Sequence, residues 1–442
     1  MVHIVERINP CKGVISLIIY TVRPGDSVYN LSRQFGVSPE RIIEENQLHN
    51  VNRLMIGQAL LIPAQRVRHV VSLGQTLSSI ARMYGSTVED ILKANPSISD
   101  PSQIHPGQVI SVPVGTTQGG SIDVNGYALP DISMDVLDAT LPNLTYLSIF
   151  SYQARPDGTI TEINDRPLIE RALRDRVAPL MVLTNIKEGG RFDSDIAHDI
   201  LQSTAVQDLI LDAVVLEMDE KNYYGLDVDF EYIYPEDRDA YVAFLRKAAD
   251  KVRPLGYSIS VALAPKLSAT QKGILYEAHD YAQIGAIVDR VILMTYEWGY
   301  TYGPAQAVSP IDQVERVLQY AVSVMPSEKI LMGMPNYGYD WTLPFVPGSA
   351  ARSLSNQEAV ELASRVGAMI LYDERVQAPY FNYYDEQGRP HVVWFDDPRS
   401  IAARLALVTK YNLAGVSYWN INTFYPQNWA VLNAMYKVNK VL

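Results

Sequence analysis

Eight short apolar runs, separated by stretches of helical spacing, fill the chain from residue 125 to its end. They cover residues 125–128, 144–150, 177–184, 225–232, 257–264, 290–295, 330–335 and 414–419, with amphipathic stretches such as 193–220 and 236–252 between them. A strand wet on one face alternates apolar and polar residues, whereas a near-continuous apolar strand is covered on both faces. Eight covered strands with helices between them predict an α/β fold, a closed (β/α)8 TIM barrel over residues 123–442.

One of these runs carries charge. Gly225-Leu226-Asp227-Val228-Asp229-Phe230-Glu231 sets three carboxylates at alternate positions among large apolar residues. In a strand, Asp227, Asp229 and Glu231 share one face and Leu226, Val228 and Phe230 the other. On an antiparallel strand the acids would be an ordinary wet face. In a closed barrel the apolar side meets the helices, so the acids point inward, with Glu231 nearest the C-terminal end where such enzymes do their chemistry. Crowded acids raise one another's pKa, so at least one keeps its proton near neutrality and can act as a general acid.

Ahead of this body lies an internal repeat. Tyr20-Thr21-Val22-Arg23-Pro24-Gly25-Asp26-Ser27-Val28 recurs as His69-Val70-Val71-Ser72-Leu73-Gly74-Gln75-Thr76-Leu77, and Asn46 recurs as Asn95, both at an offset of 49. The copies close with Ile56-Gly57-Gln58 through Pro63 and with Pro106-Gly107-Gln108 through Pro113. Each reads strand, helix, helix, strand: a turn glycine ends the opening strand, Ser38-Pro39 has the order of a helix start, and proline stops the closing strand. The modules are expected over residues 17–64 and 66–114, with a small, polar, uncharged linker over 115–122.

The net charge of −12 is unevenly spread: residues 1–114 hold 10 basic against 8 acidic side chains, and the rest 27 against 41. Such an acidic body has no basic stripe for nucleic acid. The single cysteine, Cys11, forms no intramolecular disulfide framework. The run 14–20 is far too short to span a membrane and has no small-residue cleavage site after it, so it reads as a strand and not as a secretory signal. The seven histidines form no tight ligand cluster, and neither a phosphate loop nor a Gly-x-Ser-x-Gly elbow occurs, so no metal or cofactor is implied.

The repeats resemble the LysM module in both copies. That resemblance implies a shallow groove for N-acetylglucosamine polymers, peptidoglycan or chitin, near Gly25, Asp26, Ser27, Ile56 and Gly57 in the first copy. In the second it implies Gly74, Gln75, Thr76, Pro106 and Gly107. Tandem weak sites would raise retention on a polymer by effective concentration.

Residues 224–231 resemble the family-18 glycoside hydrolase signature Asp-x-x-Asp-x-Asp-x-Glu, with Tyr224 in place of the first acid. Met294-Thr295-Tyr296, Gly333 through Gly338 and Gly415-Val416-Ser417-Tyr418-Trp419 resemble the ends of that family's strands six, seven and eight. Residues 339–396 resemble the small α+β insertion many members carry between strands seven and eight, and Leu183-Thr184-Asn185 replaces the usual Ser-x-Gly-Gly of strand three.

The resemblance implies a retaining mechanism in which the substrate's 2-acetamido group is the nucleophile. Glu231 would be the acid, its pKa held up by burial and by Asp229. Asp229 would orient the acetamido group, Asp227 would share a proton with Asp229, and Tyr296 would hold the acetamido oxygen. Trp419 would floor the sugar subsite, with Asn336, Tyr337, Glu297, Trp298 and Met294 lining the cleft.

Two LysM-like units on such a barrel look like the spore-cortex fragment-lytic glycosidases of spore-forming bacteria. That would place the protein in the spore envelope, acting on peptidoglycan after synthesis in the mother cell. A chitinase with the same chemistry, and a catalytically silent glycan-binding protein, are the competing readings. Retention of both Asp229 and Glu231 argues against silence.

Overall fold

The computed structural model describes the backbone of residues 3–9, 13–50, 54–114 and 120–442, with side chains described from residue 17 onward. Cys11 and most of the expected linker, residues 115–119, lie outside the described residues.

The N-terminal quarter opens with an antiparallel pair, β1 (His3–Asn9) and β2 (Gly13–Thr21), followed by α1 (Val28–Phe35), α2 (Pro39–Asn46) and β3 (Ala59–Ile62). The order β1-β2-β3 adds one strand outside the repeat itself. The second copy is β4 (Arg66–Val70), α3 (Leu77–Met83), α4 (Val88–Ala94) and β5 (Val109–Pro113). Ser27 and Thr76 cap the first helix of each copy, and Ser38 and Thr87 the second. The matched asparagines do matched work. Asn46 accepts from Leu61 N–H at 2.7 Å and donates to Leu61 C=O at 2.8 Å, while Asn95 makes the same pair with Ser111.

The barrel is a closed ring of eight parallel strands. Its first strands are β6 (Ser121–Ala128), β7 (Tyr146–Gln153) and β8 (Ala178–Thr184). A small hairpin, β9 (Ile186–Lys187) and β10 (Arg191–Phe192), stands on the rim before β11 (Gly225–Asp229), β12 (Ser258–Leu263), β13 (Arg290–Leu293) and β14 (Ile330–Pro335). After the five-stranded insertion, β15 (Tyr337–Thr342) through β19 (Pro390–Trp394), β20 (Gly415–Trp419) pairs with both β14 and β6 and closes the ring. All eight apolar runs of the sequence are barrel strands.

Helices α5 (Met134–Thr140) and α6 (Arg166–Arg174) follow the first two barrel strands. The expected helix over 193–220 is two, α7 (Ser194–Leu201) and α8 (Thr204–Lys221), because Ser203 is extended and caps the second. Then come α9 (Arg238–Val252), α10 (Tyr281–Ile287) and α11 (Ile311–Val324). The insertion carries α12 (Asn356–Val366), and α13 (Pro398–Tyr411) and α14 (Pro426–Met435) flank β20. β21 (Lys437–Val438) adds to β6. Among the described residues no helix is long and apolar enough to cross a membrane.

The two repeat copies differ in how much of their sheet is covered. On β2 and β3, Ile18, Tyr20, Leu60 and Ile62 face a core common to both modules, while Leu17, Ile19, Ala59 and Leu61 belong to the core of the barrel and its helices. On β4 and β5 buried and solvent-facing residues alternate, so one face is wet. The sequence carries the same distinction, Ala59-Leu60-Leu61-Ile62 against Arg66-Val67-Arg68-His69-Val70.

Candidate active site

The alternation on β11 places each acid. Leu226, Val228 and Phe230 are fully buried in the core shared with the helices, Phe230 stacking on Phe244 of α9 at 5.6 Å between ring centres. Asp227 and Asp229 point into the barrel and are 0% and 4% exposed. Glu231, two residues past the strand, is half-buried at its C-terminal mouth. Tyr224 stands at the opposite end of the barrel against Tyr146, far down the strand from the chemistry.

The electrostatics of the three acids differ. Asp227 accepts the Tyr127 O–H at 2.5 Å on one oxygen and the Ser260 O–H at 2.6 Å on the other. These donors favour the carboxylate, but burial outweighs them and raises its pKa. Asp229 is pushed well above the carboxylate range by burial and by the charges of Glu231 and Asp227. Its Oδ1 is buried with no partner among the described residues. Of the two, Asp227 has its charge solvated by hydroxyls, so the proton of the pair belongs on Asp229. Glu231 is raised to about 7, by burial first and then by the charge of Glu297. The repulsion expected between Asp229 and Glu231 is present but falls on Asp229, and Glu297 supplies the charge that raises Glu231.

Glu231 is held by its main chain. Its N–H donates to Asn185 Oδ1 at 2.9 Å, and its C=O accepts from Asn185 Nδ2 at 2.8 Å. Asn185 directly follows β8, in the segment that departs from the family's strand-three pattern.

A cleft of about 550 Å³ opens above these acids, lined by Asp229, Glu231, Met294, Tyr296, Glu297, Trp298 and Trp419, with Tyr127 and Phe150 at its base. Trp419 meets Phe150 and Tyr127 edge-on at 4.9 and 5.6 Å. The Tyr296 ring lies against β14 because residue 333 is glycine; a Cβ there would come within 2.8 Å of the ring. Tyr296 is buried among carboxylates, and its hydroxyl pKa is driven well above 10 by burial and the charges of Asp229 and Glu231. Glu297 is exposed at the cleft mouth, with φ of 66°, and accepts from the hydroxyls of Tyr337 and Tyr339, the latter at 3.0 Å. Left-handed backbone at a non-glycine residue is uncommon, and Tyr232, also on the cleft wall, shares it with φ of 55°.

Two expected cleft residues are tied to neighbouring protein groups. Asn336 is buried, and its Nδ2 donates to the carbonyls of Asn420 and Thr423, at 3.1 and 2.8 Å, so it braces the loop after β20. Tyr337 donates its hydroxyl to Glu297 and packs in the apolar cluster that holds Tyr296 and Trp419. Tyr127, Ser260, Asn185 and Phe150 were not singled out in the sequence. An inward-facing polar residue on an apolar strand, as at Tyr127 and Ser260, is the signal that marks two of them.

In the modules, Asp26 accepts from Arg23 N–H and the Tyr20 hydroxyl, and Gln75 from Ser72 N–H, so both side chains close turns. Ser27 and Thr76 are helix caps. Gly25, Gly74 and Gly107 stand in open space, and Ile56 is 39% exposed. Gly57 is buried: its C=O accepts from Arg399 at 3.1 Å, and a Cβ on it would lie 1.7 Å from Ile370 O.

A closed parallel barrel with an acid of raised pKa at its mouth, a buried carboxylate pair beneath it and an aromatic floor defines a glycoside-cleaving enzyme. The chain belongs to the glycosyl hydrolases family 18, whose model matches residues 172–423, and LysM domain models match residues 20–63 and 69–113. It is 39% identical to the cortical fragment-lytic enzyme of Bacillus anthracis over 96% of this chain and 99% of that protein. The crystal structure of the Bacillus megaterium spore cortex-lytic enzyme SleL matches with a TM-score of 0.87 at 40% identity, covering 96% of this chain and 99% of that one. A chitinase from Chromobacterium violaceum matches with a TM-score of 0.66 at 25% identity, covering 71% of this chain.

Proposed function

We propose that this protein is a retaining β-N-acetylglucosaminidase of spore-cortex peptidoglycan, held on its polymer by the LysM modules and resident in the spore envelope. The observation that carries the mechanism is the ladder itself: an acid of pKa about 7 above a carboxylate pair that is not fully ionised. The likeness to cortical fragment-lytic enzymes over 96% of the chain supports the substrate.

In the reaction Glu231 gives its proton to the glycosidic oxygen as the bond to the anomeric carbon breaks. The substrate's acetamido oxygen closes on that carbon from the other face and forms an oxazolinium ion. Asp229 keeps its proton as it turns: its unpaired oxygen accepts the acetamido N–H and its O–H donates to the Glu231 carboxylate left by bond breaking, while Tyr296 hydrogen-bonds the acetamido oxygen. Asp227, fixed by Tyr127 and Ser260, carries the negative charge that balances the oxazolinium ion. Glu231, now a carboxylate, removes a proton from water; the resulting hydroxide opens the oxazoline with net retention, and Glu231 is protonated again.

A chitinase is the second reading, supported by the likeness to the Chromobacterium chitinase. The test incubates the protein and a Glu231→Gln variant with cortex peptidoglycan and with chitin oligomers, and identifies new reducing ends by mass spectrometry. Reducing N-acetylglucosamine ends from cortex alone support the proposal, and cleavage of chitin alone supports the second reading. No Glu231-dependent cleavage of either polymer would leave a silent glycan-binding scaffold.

A further inference from the structure

The two modules share a sequence pattern but meet different surroundings. In the first, the loop that closes the expected groove is built into the catalytic body. Ile370 N–H donates to Ile56 C=O at 2.9 Å, and Arg399 donates to Gly57 C=O while its guanidinium lies over Tyr372, 4.3 Å from the ring centre. Met55 is 7% exposed and joins Leu354, Leu362, Ile370 and Phe381 of the insertion in one apolar cluster. On the sheet side, Gln427 of α14 donates to Asn46 at 2.5 Å. These contacts close one wall of the first groove with protein.

The corresponding wall of the second module is bare. His105 stands where Met55 stands, as the turn bonds show: Gln58 accepts from Met55 N–H, and Gln108 accepts from His105 N–H in the same way. Yet His105, Pro106 and Gly107 are exposed, and a Cβ on Gly107 would meet nothing within 4 Å. On the opposite wall Leu73 is 90% exposed, an apolar side chain beside the Gly74 turn with no protein covering it. An exposed leucine facing an exposed His105-Pro106-Gly107 turn suits an N-acetylated sugar, which offers a methyl group for apolar contact and an amide for hydrogen bonding.

We infer that the second module alone grips the N-acetylglucosamine chain of peptidoglycan, and that the first is a fixed wedge joining it to the barrel. This rests on the glycan-binding reading of the modules. The inference also assigns the spacing: the first module shares cores with both the barrel and the second module, so the gripping groove is carried on the catalytic body with no free hinge at the first module.

The test uses the full chain in a Glu231→Gln background, which holds polymer without cutting it, and measures retention on insoluble cortex peptidoglycan by sedimentation. Leu73→Asp and His105→Asp change exposed side chains on the two walls of the second groove; Pro24→Asp changes the exposed position of the first module that matches Leu73. Thermal midpoints confirm that each variant is folded, and two independent second-module variants guard against the failure of either one. The expected result is about tenfold weaker binding for Leu73→Asp or His105→Asp, and binding within twofold of the background for Pro24→Asp. Weakening by Pro24→Asp equal to that of the second-module variants would overturn the inference, as would unchanged binding by both second-module variants. If the background protein itself is not retained, it is the glycan-binding reading of the modules that fails.

Discussion

The hydroxyl of Tyr127 donates to Asp227 across the barrel at 2.5 Å, linking its first strand to its fourth. With Ser260 on the other oxygen, that contact makes Asp227 the member of the pair able to hold negative charge in a buried site. Asp229, without such donors, holds the proton and keeps an oxygen for substrate.

Replacing Tyr127 by Phe leaves Asp227 one donor short in a buried site. A lost partner of this kind costs about 1–3 kcal/mol. Denaturant unfolding at neutral pH is expected to show a loss in that range, with turnover falling because Asp227 holds its negative charge less well. Unchanged stability and turnover would remove Tyr127 from the mechanism.

Glu231→Gln removes the proton donor but keeps the shape. Turnover of an N-acetylglucosamine polymer is expected to drop about 10²–10⁴-fold. An aryl glycoside whose leaving group needs no protonation loses much less in the first step, visible as a burst of released phenol.

The pH dependence has a definite sign. Glu231 must be protonated for bond breaking, so kcat/KM falls as pH rises through about 7. Glu297→Gln removes the neighbouring negative charge that helps raise Glu231, so this alkaline limb moves to lower pH. A pH–rate profile that stays in place would mean that burial alone sets the acid.

Met55→Ala and His105→Ala alter matched positions with opposite surroundings. Deleting the buried methionine between module and insertion costs about 2–5 kcal/mol, within the range for such core truncations. The exposed histidine is expected to cost under about 0.5 kcal/mol. Chemical denaturation of both variants checks the contrast.

Asn185→Ala frees the Glu231 backbone on both its N–H and C=O sides. Since a misplaced acid costs rate more than affinity, kcat is expected to fall more than tenfold with KM little changed. An equal change in both constants would assign Asn185 to substrate binding.

Period and spacing in the sequence determined the strands, the closed barrel and the inward face of Asp227, Asp229 and Glu231. Those features follow from alternation along one strand and from covered apolar runs, which are local properties of the chain. The pattern of β2 and β3 even recorded that the first module is covered on both faces. Only the tertiary structure decided which charges and donors meet. Glu297 raising Glu231, Tyr127 and Ser260 stabilising Asp227, and Asn336 bracing the loop after β20 all join residues more than 30 positions apart. The same holds for the fate of the repeated groove, open beside Leu73 and closed at Gly57 by Ile370 and Arg399. A repeat specifies its own turns and caps. What packs against them is set by segments over 300 residues away, and no local pattern encodes that neighbour.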